Sequence, residues 1–165
     1  MTLMVNIHEA CIEGGRLEML QKQISVFIEN KTGRLADVIK IIGDSGIDLS
    51  ALCIADTTDF GILRIIVDNP ILAEQILKDN GFAVSITEVI ALSVEDQPGG
   101  LSAAMQILKE QEISIEYMYA YIKKHTNKAT VIVRVDKPLE ALEKLKGTEI
   151  NLISHEELNG SNTSL

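Results

Sequence analysis

Apolar and polar positions alternate along residues 23–29 with the two-residue period of a half-buried strand, placing Ile24, Val26 and Ile28 on one face. Residues 33–44 switch period. Leu35, Val38, Ile39 and Ile42 recur at helical spacing, and Gly43 and Gly46 bracket the predicted helix end, where a left-handed residue is needed. Ile47 to Ala55 and Ile62 to Val67 read as two further strands. Pro70 opens a second helix, as proline does at a first helical position, and Phe82 to Thr87 reads as a last strand. The order is β-α-β-β-α-β.

The same order then repeats. A shift of 66 lays Glu29-Asn-Lys-Thr-Gly-Arg-Leu35 over Glu95-Asp-Gln-Pro-Gly-Gly-Leu101, Ile24 over Ile90, and Ile47-Asp-Leu49 over Ile113-Ser-Ile115. A shift of 68 lays Val67-Asp-Asn-Pro70 over Val135-Asp-Lys-Pro138; a hairpin absorbs the two extra residues. The second copy predicts strands at 89–95, 113–122, 129–135 and 149–154, with helices at 100–111 and 138–146. Each copy is a split βαβ, or ferredoxin-like, unit: α+β, with four antiparallel strands and both helices on one face. The chain therefore divides into an N-terminal extension (1–21), a first unit (22–87), a second unit (88–155) and a polar tail (156–165) expected to be disordered. Each unit is near the lower size limit for a self-sufficient core. The two sheets are expected to pair side by side into eight antiparallel strands.

Strand two breaks phase in both copies. Ile47 and Leu49 are apolar at odd positions, Leu52 and Ile54 at even ones; Ile113 and Ile115 give way to Met118, Ala120 and Ile122. A β-bulge near 50–51 and 116–117 would keep all of them on the core face. Tyr117, Tyr119 and Tyr121 then share the helix-free face, as a surface to be covered by another part of this chain or by self-association.

Composition narrows the function. The chain has 165 residues, 24 acidic and 15 basic, for a net charge of -9. An acidic surface spread over both units repels nucleic acid, and an RNA-recognition sheet would need central-strand aromatics that only Phe27 supplies. No apolar run is long enough to span a membrane, and no export signal is visible, so a cytoplasmic protein is expected. Cys11 and Cys53 form neither a disulfide framework nor a metal motif, and the first loops hold no thiolate pair. His8, His125 and His155 do not repeat and have no acid or nucleophile at motif spacing. No catalytic residue, metal or cofactor is predicted.

One repeated constellation carries chemistry. Asn30-Lys-Thr-Gly33 and Asp96-Gln-Pro-Gly99 each join strand one to a helix N-terminus, where free backbone amides favour an anion such as a carboxylate. Leu35 and Leu101 are read as anchoring the helix beneath, and Asn30 and Asp96 as caps or polar ligand contacts. Asp48 and Ser114, at the start of strand two, are read as facing the loop. A carboxylate of Asp48 or Asp96 would suit an α-ammonium group. The plainer alternative is that these residues only make turns and caps.

With these two loops, the Gly46-Ile-Asp-Leu49 segment and Glu116-Tyr-Met-Tyr-Ala-Tyr121, residues 22–155 resemble the ACT domain, and the chain resembles a stand-alone tandem ACT protein. The resemblance implies a non-catalytic, allosteric regulator of amino-acid metabolism that binds a small amino acid at an interface between two ACT units. It implicates Asn30, Lys31, Gly33, Arg34, Leu35, Asp48 and Leu49 in the first unit. In the second it implicates Asp96, Pro98, Gly99, Gly100, Leu101, Ser114 and Ile115. The family often has Asn where Asp48 and Ser114 stand, and Pro where Thr32 stands, which implies two non-identical sites or one lost site. The partners implied are a homodimer or a separate metabolic enzyme; the second alternative makes the protein mainly a contact subunit of that enzyme.

Overall fold

The computed structural model describes residues 18–56, 59–122 and 127–159, which hold seven strands and five helices in an α+β arrangement. In order they are β1 (Leu20–Glu29), α1 (Arg34–Asp44), β2 (Leu49–Asp56), β3 (Phe60–Val67), α2 (Pro70–Asp79), β4 (Ala83–Glu95), α3 (Gly100–Glu110), β5 (Ile115–Ile122), β6 (Lys128–Val135), α4 (Pro138–Leu145), β7 (Asn151–Leu152) and α5 (His155–Asn159). The chain divides into two compact units, residues 22–88 and residues 89–160, and Leu20 and Gln21 at the start of β1 belong to the second.

In the first unit β3 lies between β1 and β2 and runs antiparallel to both. One face of these strands packs against the helices: Ile24, Val26, Ile28, Leu63, Ile65 and Val67 meet Val38 and Ile42 of α1 and Ala73 and Leu77 of α2. Asn69 caps α2 by accepting a hydrogen bond from the Leu72 amide at 3.2 Å, and Pro70 stands at the helix start, where its missing N–H costs nothing. In the second unit β6 lies between β4 and β5, and β7 pairs on the other side of β4. Val131, Val133 and Val135 face Ala104, Leu108, Ala141, Leu142 and Leu145 of its helices.

Both phase breaks are bulges. The register shifts between Leu49 and Ala51 in one unit and between Ile115 and Tyr117 in the other. Beyond the bulge Leu52 and Ile54 stand opposite Ile65 and Leu63 on the helix side, as Met118 and Ala120 stand opposite Val133 and Val131.

Three expectations differ from the structure. The last strand of unit one and the first of unit two form the single strand β4, because nothing between Thr87 and Val89 interrupts the extended backbone. β1 is buried on both faces over residues 23–26. Its polar side is tolerated because Gln23 Nε2 donates to Thr87 Oγ1 at 3.2 Å and to Ser25 Oγ at 3.4 Å. Finally, residues 155–159 are helical rather than part of a loose tail. Ser154 and Glu157 cap α5 reciprocally, each side chain accepting the other's backbone N–H, at 3.2 and 2.9 Å, and Leu158 is buried. The Gln21 side chain ties this segment down, donating to the Ile153 carbonyl at 3.0 Å and lying 3.3 Å from His155 Nδ1. The expectations for residues 1–17, for the Lys123–Lys124 turn and for residues 160–165 lie outside the described residues.

Gly100 and Gly43 differ sharply in the room around them. A Cβ at Gly100 would lie 2.0 Å from the Glu95 carbonyl oxygen, whereas one at Gly43 would meet nothing within 4 Å. Gly100→Ala is expected to destabilise the protein by about 1–3 kcal/mol through this overlap. Gly43→Ala, inside α1, is expected to stabilise it by about 0.5 kcal/mol. Urea denaturation of both variants checks the opposite signs.

Candidate functional site

The loop after β1 is built by one left-handed glycine. Gly33 has φ 92° and is the N-cap of α1, with no side-chain cap; its carbonyl accepts the Asp37 amide at 2.9 Å. Only glycine takes this conformation without strain. Gly99 repeats it at φ 91°, its carbonyl accepting the Ala103 amide at 3.0 Å. The N-cap positions are held by Gly33 and Gly99, not by Asn30 and Asp96. Their backbone amides instead bond across to the following hairpin, Asn30 to the Asp59 carbonyl at 2.9 Å and Asp96 to the Asn127 carbonyl at 2.8 Å. Residues 30–33 and 96–99 are exposed, which leaves both helix N-termini open to solvent.

The cations of the first loop already have partners. Lys31 Nζ lies 2.8 Å from a Glu29 carboxylate oxygen, and this contact holds the Glu29 carboxyl below its usual range. The Arg34 guanidinium sits 4.6 Å above the Phe82 ring and 3.6 Å from Asp37. An incoming carboxylate would therefore meet backbone amides more readily than a spare cation. Leu35 and Leu101 do not lie beneath their helices; both are exposed, and Val38, Ile42, Ala104 and Leu108 do the anchoring.

The structure does not bring the two halves of the expected site together within a unit. Glu29 stands opposite Phe60 at one end of β3, while Leu49 stands opposite Val67 at the other. Asp48 is fixed at that far end: its amide donates to Asp68 Oδ1 at 3.1 Å, and its carbonyl accepts the Asp68 amide at 3.2 Å. Seven residues of strand separate the ends, about 20 Å. Unit two repeats this, with Glu95 opposite Lys128 and Ile115 opposite Val135. The loop and the start of strand two are thus at opposite ends, because β1 and β2 both run against β3 and so run the same way.

Sequence reasoning did not find the concavity in unit two lined by Glu112, Asp136, Lys137, Glu140 and Lys144, at the end where β5 begins. Glu140 is held below the usual carboxyl range there by hydrogen bonds from Lys144 and Lys137, 3.1 and 3.2 Å away. Its one sequence signal is Glu112, which takes φ 53° where the first unit has Gly46.

The tyrosines share the helix-free face, Tyr117 opposite Arg134, Tyr119 opposite Ile132 and Tyr121 opposite Thr130. They are half-buried, and Ile132 beside them is fully buried. Cys53, opposite Arg64, is half-buried. Among the described residues no cluster of His, Cys, Asp or Glu could hold a metal, and no helix is long and apolar enough to cross a membrane.

A family model described as an ACT domain pair matches residues 19–161. Among solved structures, protein BT0572 from Bacteroides thetaiotaomicron is similar at 42% identity, covering 85% of this chain and 96% of that one, with a TM-score of 0.80. The ligand-free regulatory subunit of aspartate kinase from Thermus thermophilus shares the fold at 16% identity, covering 77% of this chain and 91% of that one, with a TM-score of 0.59. The search of curated proteins finds no match.

Burial pushes the Tyr121 phenol up, with Thr130 pulling the other way. A group whose neutral form is favoured by folding contributes stability below its unfolded value, about 10 for a phenol, and loses it as pH rises through the folded value. Alkaline titration followed by tyrosinate absorbance is expected to show a late component that Tyr121→Phe removes.

Proposed function

The chain belongs to the ACT domain family, and we propose that it is a non-catalytic regulator that binds a small amino acid where two ACT units meet. The observation that carries this reading is the repeated pair of exposed, glycine-capped helix N-termini after strand one, at Gly33 and Gly99. Their amides supply a place for an α-carboxylate on a protein whose net charge is -9. In the proposed arrangement Asn30, Lys31, Gly33, Arg34 and Leu35, or Asp96, Pro98, Gly99, Gly100 and Leu101, receive the carboxylate end. Asp48 and Leu49, or Ser114 and Ile115, come from a different unit and face the ammonium group. The separation of about 20 Å within each unit supports an interface site, since no single amino acid spans it. The units joined this way pair side by side into an eight-stranded antiparallel sheet with the helices on one face.

The ligand acts by mass action, favouring the paired state that it completes. The regulated enzyme is a separate chain in amino-acid metabolism. The alternative in which the tyrosine row is the contact surface for that enzyme is the weaker one, because those side chains are already half-buried in this chain.

Thermal denaturation in the presence of each of the twenty amino acids tests the reading. A ligand at about 100 times its Kd stabilises by about 2.7 kcal/mol. For a chain of this size that is a rise in Tm of about 5–10 °C. Gly33→Asp places a carboxylate at the amides and is expected to abolish the rise at the first site, as Gly99→Asp does at the second. No rise with any of the twenty at millimolar concentration would sink the proposal.

A further inference from the structure

An antiparallel sheet with helices on one side commonly leaves its other side to water. The second unit does not. Val131 and Val133 of β6 face the helices, so Thr130 and Ile132 take the helix-free side, where Ile132 stands between Ala91 of β4 and Tyr119 of β5. Ile132 and Ala91 have no exposed surface, and Thr130 keeps 3%. Neither Ile132 nor Ala91 belongs to the helix-side core. The tyrosines are half-buried although, among the described residues, β5 pairs with β6 alone. The Tyr121 phenol oxygen, at the far tip of its side chain, is cut off from water. Something lies over the rings as well as beside them.

We infer that residues 1–17 of this chain lie across the helix-free face of the second unit and cover Ile132 and the tyrosine row. The face is buried within a single chain, so the cover comes from that chain. Among the described elements of this unit, α5 alone stands outside the sheet and the two core helices, and it buries one side chain, Leu158. Residues 57–58, 123–126 and 160–165 are short and polar, with Leu165 as their one apolar side chain. Residues 1–17 differ in both respects. Nine of the 17 are apolar, with Leu3, Met4, Val5 and Ile7 among the first seven, against two acids and one arginine. The segment is also tied to the right place: it leads into Met19 and Leu20, which pack in the core of this same unit. Fully extended, residues 1–17 reach about 55 Å, several times the roughly 10 Å from β4 across β6 to β5. A cover tethered at one end acts at high effective concentration, so a partner that seeks the tyrosine row must displace it.

The row can be read in isolation, because Tyr117, Tyr119 and Tyr121 are the three tyrosines of the chain and it has no tryptophan. In the full chain carrying Met4→Asp and Val5→Asp together, acrylamide quenching of tyrosine emission is expected to rise about two-fold, as half-buried rings open to water, with an unchanged circular dichroism spectrum. Quenching that stays at the wild-type level would assign the cover to the first unit and overturn the inference. Wild-type quenching that grows on dilution would assign it to a second copy and overturn it equally. Should the aspartate variant fail to fold, Cys53→Ser leaves Cys11, inside the segment, as the single thiol. A nitroxide attached to Cys11 is expected to broaden the tyrosine ring proton resonances of the folded chain but not of the urea-unfolded one. Rings that stay sharp in the folded chain would place the segment elsewhere and sink the proposal.

Discussion

The antiparallel pairing of one strand to two neighbours governs this architecture. β3 runs against both β1 and β2, and β6 against both β4 and β5. The outer two strands of each trio must then run the same way, and a tight hairpin cannot join strands that run the same way. The chain has to cross over, and in both units it crosses by a helix. That crossover explains the glycine after strand one, which reverses the chain into the helix within four residues. It explains the single helix-covered face, since both connections pass on the same side. It also separates the start of the helix from the start of the next strand by the full length of the sheet. Fold and site geometry thus follow from one directional constraint.

Much of this was legible in the sequence because duplication states each feature twice. The bulge is an example: a phase break in one strand is ambiguous, but Leu49 to Leu52 and Ile115 to Met118 break at the same place. What was not legible is the relation between elements far apart in sequence. Asp48 and Ser114 are polar positions near the loops in sequence order, but strand direction, not residue type, decides whether they meet them, and it places them at the opposite end of each unit. Leu35 fits the helical period of the core, yet it sits in the first turn, beyond the reach of the sheet. Residues 155–159 carry a Ser-x-x-Glu capping box over a single buried leucine, too short a pattern to register as periodic. The proposed ligand contacts at Gly33 and Gly99 were visible only as glycines at a turn; their left-handed φ required the structure.

The two copies have diverged at positions where backbone freedom matters. Arg34 and Gly100 are equivalent by the shift of 66, and so are Gly46 and Glu112. At the first pair, the Glu95 carbonyl lies where a side chain of residue 100 would begin, so the second loop is shaped around the absence of a Cβ. In the first unit the Arg34 side chain instead reaches Phe82, while the Glu29 carbonyl accepts the Lys31 amide at 2.8 Å. At the second pair the glycine is in the first unit, and Glu112 accepts a left-handed φ of 53° at a cost of about 1 kcal/mol. Two sites built on these loops would not be equal even with identical ligand-facing residues.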